Sequence, residues 1–259
     1  MHNIIVTVFV IFGLCFGSFA NVLIYRLPLG KSVIFPSSSC PYCTKKLSMF
    51  DLVPVFSWLF LFGKCRNCKK KISFRYTFVE LLCGFLFGIM AWHNSIFNAI
   101  PLAFLCFILV SITFIDIDTQ TIPDSLLIFA GIIGIIWVIS SVIYPYTFNS
   151  PTIIDSIFGT IAGGGILFIM DKLTILIAKK DGFGYGDVKL MAICGIFIGL
   201  NLTLISYFFA FIIGGIFATF LIILRKVNRG SYMAFGPFLA IGVVMAILYG
   251  FPFINWLLF

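Results

Sequence analysis

The sequence predicts an all-α, polytopic membrane protein with about eight transmembrane helices. Three observations predict it. Of 259 residues, 61% are hydrophobic and only 10% charged, whereas a soluble domain is about half apolar and about a quarter charged. Several apolar stretches approach the ~20 residues that a helix needs to cross a bilayer. The 17 Lys and Arg fall in three regions only, between Arg26 and Arg75, Lys172 and Lys189, and Arg225 and Arg229.

Taken in order, the expected spans are 4–24, 76–92, 99–115, 124–144, 153–170, 189–201, 203–224 and 234–256. The first is read as a retained span. Residues 1–3 carry no Lys or Arg, and no small-residue cleavage site follows the apolar run. Thr121-Ile122-Pro123-Asp124 reads as a capping box opening the fourth span, with Asp124 in a capping role. With eight spans, every basic region lies on one side. By the positive-inside rule that side is the cytoplasm, and both termini face out. The net charge of +8 is then a topology signal, and no nucleic-acid partner is expected, because the basic loop holds no recognisable nucleic-acid-binding module.

That loop contains Cys40-Pro41-Tyr42-Cys43 and Cys65-Arg66-Asn67-Cys68, two CxxC pairs separated by 21 residues. Each pair can supply two thiolates to a tetrahedral ion, so the spacing predicts a structural zinc site on Cys40, Cys43, Cys65 and Cys68. Nearby Lys45, Lys46, Lys64, Arg66 and Lys69 favour ionised thiols. Disulfides are the competing reading, and the cytoplasmic assignment argues against them. The apolar residues 49–63 between the pairs must leave and return on one side if both pairs share an ion. They are read as a re-entrant or interfacial hairpin, being short for a crossing. Cys15, Cys83, Cys106 and Cys194 lie singly in apolar runs and read as packing residues.

The acids number nine. Asp116 and Asp118 end the third span, where the helix C-terminus disfavours negative charge. A carboxylate kept at the edge of lipid is a functional candidate. Sequence alone does not separate the two. Asp187 follows Gly182-Phe183-Gly184-Tyr185-Gly186, whose alternating glycines permit close backbone approach. An N-cap role is the plainer account of Asp187. The topology, however, sets Asp187 and Asp116 at the same boundary. Two adjacent carboxylates can hydrolyse a peptide: one takes a proton from water, the other donates to the carbonyl oxygen. Such a pair shares a proton and titrates as a unit.

These residues resemble the type IV prepilin peptidases, membrane aspartyl proteases of the GxGD class. The resemblance is carried by Gly17-Ser18-Phe19-Ala20-Asn21-Val22-Leu23-Ile24-Tyr25-Arg26-Leu27-Pro28 and the paired CxxC knuckles. It continues through Ile72-Ser73-Phe74-Arg75-Tyr76, Glu80-Leu81-Leu82-Cys83-Gly84, Ile115-Asp116-Ile117-Asp118 and Ile122-Pro123-Asp124. Gly184-Tyr185-Gly186-Asp187-Val188-Lys189-Leu190 and Phe235-Gly236-Pro237-Phe238-Leu239-Ala240 complete it, in the family's order. It implies catalysis by Asp116 and Asp187, with Gly184, Gly186, Asp118 and Lys189 around them. It also implies zinc on the four cysteines, and cleavage of prepilins or pseudopilins after the Gly that ends a short basic leader.

Many family members also N-methylate the new terminus with S-adenosylmethionine, and Glu80 and Gly84 fall in the region associated with that activity. For Glu80 the plainer reading is an ionic partner of Arg75 or another loop cation. The resemblance divides the chain into 8–92, an N-terminal domain with the CxxC loop; 99–222, the peptidase core; and 223–259, the C-terminal span. Two other classes compete. A proton- or cation-coupled transporter also uses intramembrane acids and Gly-interrupted spans, but the acids cluster at one boundary and no repeat of halves is found. A zinc-ribbon scaffold leaves both Asp loci unexplained.

Overall fold

The computed structural model describes residues 2–145, 151–179, 182–224 and 234–258. These form helices α1 (His2–Arg26), α2 (Phe56–Phe60), α3 (Phe74–His93), α4 (Ile96–Thr119), α5 (Asp124–Ile143), α6 (Ile153–Ala178), α7 (Tyr185–Ile223) and α8 (Gly236–Leu258). Among the described residues there is no strand, only two isolated antiparallel bridges. All but α2 are long and apolar enough to cross a membrane. The chain is an all-helical, multi-pass membrane protein. Its Arg225–Arg229 basic cluster lies outside the described residues, as does Lys180 of the second basic region.

Two compact units divide the chain, Met1–Ser111 and Ile112–Phe259, with the border inside α4. In the first unit α1 lies against α3 along small residues. A Cβ at Gly13 would stand 2.7 Å from the Cys83 carbonyl, and one at Gly17 would stand 2.6 Å from Glu80 Cα. Lipid offers no hydrophobic force between helices, so close backbone approach supplies the attraction through dispersion. The Asn21 side-chain amide donates to the Tyr76 carbonyl at 3.0 Å and ties the end of α1 to the start of α3. At the start of α3, Ser73 caps the helix by accepting the Arg75 N–H.

In the second unit α6 runs antiparallel to the first part of α7. Gly159 faces Gly195, and Gly163 faces the Met191 carbonyl. The 39 residues of α7 are not one rod. Gly199 has φ 69 and ψ −176, a backbone region open essentially to glycine alone. A straight helix would carry Phe183 and Phe211 roughly 40 Å apart, yet their ring centroids are 6.3 Å apart. The helix therefore folds back on itself at Gly199. Its two arms match the spans expected at 189–201 and 203–224. Asp155, in the first turn of α6, accepts the Leu200 N–H at 3.0 Å and so satisfies a donor that the bend frees.

The capping box expected at Thr121 is absent. Pro123 occupies the N-cap of α5 and no side chain caps it. The Thr121 hydroxyl instead meets the Thr119 hydroxyl at 2.7 Å, and Asp124 pairs with Lys189 at 2.8 Å. A cation 65 residues further along has outcompeted the local backbone.

Candidate active site

Asp116 lies in the last turn of α4 and is 5% exposed. Asp118, two residues on, is exposed. At 3.6 residues per turn, positions i and i+2 point to nearly opposite sides, so one helix end cannot bury both. Asp116 Oδ2 accepts the Gly236 N–H at 3.0 Å. Gly236 opens α8, and a Cβ there would stand 2.6 Å from the same oxygen. The oxygen occupies the space that any side chain at 236 would need.

Asp187 is 6% exposed and sits in the first turn of α7. It is not the N-cap. Gly184 holds that position, and the Asp187 N–H donates to the Gly184 carbonyl at 3.0 Å. The Asp187 side chain is thus free to turn inward, and it lies within electrostatic reach of Asp116. Gly184 has φ −73, which any residue adopts. Gly186 is the glycine that the packing demands, because a Cβ there would stand 3.0 Å from the Ile122 side chain. Lys189 lies outside this buried pair, in the exposed ion pair with Asp124 that joins the starts of α5 and α7.

Two groups near this locus are not apparent from the sequence. Asp171, on α6 and 5% exposed, accepts the N–H of Gly182 at 3.0 Å and of Phe183 at 3.1 Å through Oδ1. Tyr207, on the returning arm of α7, donates to the Gly163 carbonyl and is within electrostatic range of Asp187. The signal for Asp171 was only its occurrence as an acid near the end of an apolar run. Its partners are main-chain amides, which no side-chain pattern reveals.

In the first unit the four expected cysteines converge. The Sγ atoms of Cys40, Cys43, Cys65 and Cys68 all lie within 4.8 Å of one another, with Cys40 and Cys68 at 3.9 Å. A tetrahedron with Zn–S bonds of about 2.3 Å has edges of about 3.8 Å, so the donor set fits that ion. The two knuckles are built alike. Cys40 N–H donates to the Lys45 carbonyl and Thr44 N–H to Cys40, while Cys65 donates to Lys70 and Lys69 to Cys65. Thr44 and Lys69 each have positive φ at the corner. Backbone N–H groups of Cys68 and Asn67 lower the Cys65 thiol to about 7, which favours the thiolate form that binds metal. All four thiols are free.

Between the knuckles, a 3₁₀ turn at Met49–Leu52 precedes the five-residue α2. Neither is long enough to cross a bilayer. Met49, Phe50, Phe60 and Phe62 are exposed. Glu80 is 9% exposed and turns to a main-chain amide. Its Oε2 accepts the Val55 N–H at 2.7 Å, at a residue with φ 62. Asp51 pairs with Arg66 at 2.7 Å. Arg26 donates to the carbonyls of Ser32 at 3.0 Å and Pro36 at 2.6 Å and so folds the start of the loop. Gly84 packs on Leu14 of α1, where a Cβ would stand 2.8 Å from Leu14 Cδ2.

Family models match both parts of the chain: residues 11–94 match the bacterial peptidase A24 N-terminal domain, and residues 103–219 the type IV leader peptidase family. Among curated relatives, the prepilin leader peptidase/N-methyltransferase of Stutzerimonas stutzeri is 31% identical, over 93% of this chain and 89% of its own. The protein of the same description from Neisseria gonorrhoeae is 32% identical over 89% and 86%, and that from Bacillus subtilis 31% over 95% of each. No solved structure matches significantly. With relatives this similar along nearly its whole length, the chain belongs to the type IV leader peptidase family and is a protease.

Proposed function

We propose that Asp116 and Asp187 are the catalytic pair of an endopeptidase that removes the short basic leader of prepilins or pseudopilins, cutting after Gly. The observation that carries this reading is a pair of buried aspartates, one ending α4 and one opening α7, within electrostatic reach of each other. Two neighbouring buried carboxylates do not both ionise readily, and in this reading the pair shares one proton. The ionised member takes a proton from water as the oxygen attacks the scissile carbonyl. The protonated member donates to the carbonyl oxygen; the C–N bond then breaks as the first aspartic acid gives its proton to the leaving nitrogen and the second carboxylate takes one back from a hydroxyl of the tetrahedral species, which restores the pair. The apolar helix of the substrate can remain in lipid while its leader meets the pair at the membrane border.

The positive-inside rule, applied to the ten Lys and Arg between Arg26 and Arg75, supports a cytoplasmic catalytic face with both termini outside. Residues 99–222 form the peptidase core in this reading, 8–92 the N-terminal domain and 223–259 the C-terminal span. The four cysteines hold a structural zinc ion. The relatives' names pair leader peptidase with N-methyltransferase, and we assign methylation of the new terminus to the N-terminal domain, with S-adenosylmethionine as donor. A cavity of about 450 Å³ in that unit is bordered by Asn21, Tyr25, Trp58, Tyr76 and Glu80, within the size range of small-molecule sites. The bound donor would supply an electrophilic methyl group. Glu80 shapes the cavity wall by holding Val55, and Gly84 lets α1 approach α3 behind it.

The test is cleavage of a synthetic prepilin by the purified protein in liposomes. Asp116→Asn and Asp187→Asn should each lower the rate by roughly 10²–10⁴-fold while the protein still accumulates in the membrane. Normal processing by either variant removes that residue from the pair. An intact leader with the wild-type protein would point to the transporter or scaffold class instead.

A further inference from the structure

We propose that Asp171 is a positioning residue for the catalytic pair, setting the main chain of the loop that presents Asp187; this rests on the reading of Asp116 and Asp187 as the cutting groups. Hydrogen bonds, a close steric approach and ring packing support it. Asp171 is buried on α6, and one of its oxygens accepts both the Gly182 and the Phe183 N–H. Both amides lie just ahead of the α7 N-cap at Gly184, where no helix or strand partner is available to them. A partly buried loop amide without an acceptor is costly, so the carboxylate holds this segment against α6.

Thr174, one turn beyond Asp171, closes the other side. A Cβ at Gly182 would stand 2.9 Å from Thr174 Cβ. The loop is therefore pulled toward α6 by Asp171 and admitted there only because residue 182 has no side chain. The next residue extends the effect to the other aspartate. The Phe183 ring packs edge-on against Phe235 at 5.2 Å, and Phe235 immediately precedes Gly236, the donor to Asp116. Phe211 braces both rings, at 6.3 Å from Phe183 and 5.5 Å from Phe235. One carboxylate on α6 thus fixes the backbone of residues 182–183, and that backbone places a ring whose neighbour carries the Asp116 hydrogen bond. Displacement of this segment by about 1 Å would spoil the mutual placement of the two aspartates, an error that can cost around 100-fold in rate.

Asparagine retains an oxygen able to accept both amides, and alanine does not. Cleavage of a synthetic prepilin in liposomes should show kcat for Asp171→Ala lowered by about 10–100-fold, with KM changed little. Asp171→Asn should stay within about fivefold of wild type. Hydrogen exchange should accelerate at the Gly182 and Phe183 amides in the alanine variant and stay slow in the asparagine variant. Wild-type kcat in Asp171→Ala overturns the proposal. So does a loss beyond about fivefold in Asp171→Asn, which would assign the residue a charge or proton role instead. If the alanine variant fails to accumulate, the asparagine variant decides alone by the same threshold. If the wild-type protein cuts no prepilin, the functional reading fails, and the exchange pattern still upholds or overturns the positioning role.

Discussion

At the scale of single residues, burial distinguishes chemically identical side chains. Asp116 and Asp118 share a helix turn, yet only Asp116 is buried and held by the Gly236 amide. We expect Asp118→Asn to cut prepilin within about threefold of wild type, because Asp118 is exposed on the side of α4 away from Asp116. Gly236→Ala should behave differently. Its methyl would stand 2.6 Å from Asp116 Oδ2, so the carboxylate must move or lose its donor. A fall of at least about tenfold in kcat is expected, since a displaced catalytic group forfeits its alignment. Near-normal kcat for Gly236→Ala in the cleavage assay would show that the amide contact is dispensable. Much of this site was legible in sequence, because acids are scarce in an apolar chain and each one invites a reason. What sequence could not supply was direction. The rival claims of Asp116 and Asp118 turn on which side of α4 faces protein, and Asp171 acts on peptide groups that have no side-chain signature.

At the scale of elements, the paired knuckles form a small domain held by side-chain chemistry more than by apolar burial, as their exposed Met49, Phe50, Phe60 and Phe62 indicate. Its stability should therefore follow the metal. Removing zinc with a chelator, or Cys40→Ser, should expose residues 31–72 to proteolysis and lower the melting temperature in detergent. Cleavage should fall far less than in the aspartate variants. Loss of all peptidase activity in a folded Cys40→Ser protein would give the ion more than a structural role. Acid should act in the same direction. Thiols must give up their protons to hold the ion, so zinc retention, followed by metal analysis after dialysis, should decline as pH falls.

Sequence recognised the cysteine spacing because geometry requires it. The start of α5 was misread, because Thr121 to Asp124 carries every local mark of a cap while the pairing that occurs, Asp124 with Lys189, is tertiary. The fold-back in α7 was legible as two separate expected spans, 189–201 and 203–224. Gly199 and the Asp155 contact that stabilises it were not.

At the scale of the whole molecule, the unequal lengths of the helices matter in a solvent of fixed thickness. The first arm of α7, from Tyr185 to the bend at Gly199, rises about 21 Å at 1.5 Å per residue. A typical hydrocarbon core is about 30 Å thick. Asp187 opens that arm and Asp155 stands at its far end, so two polar ends are separated by less than the slab they must bridge. We expect the lipid around this arm to thin or water to enter, either of which would bring solvent to the depth of Asp187. Acyl-chain length then becomes a control on hydrolysis. Proteoliposomes of short-chain phosphatidylcholine should process prepilin faster than those of long-chain lipid, at equal protein content and fluidity. A rate indifferent to chain length would mean that the neighbouring helices shield this arm from the bilayer.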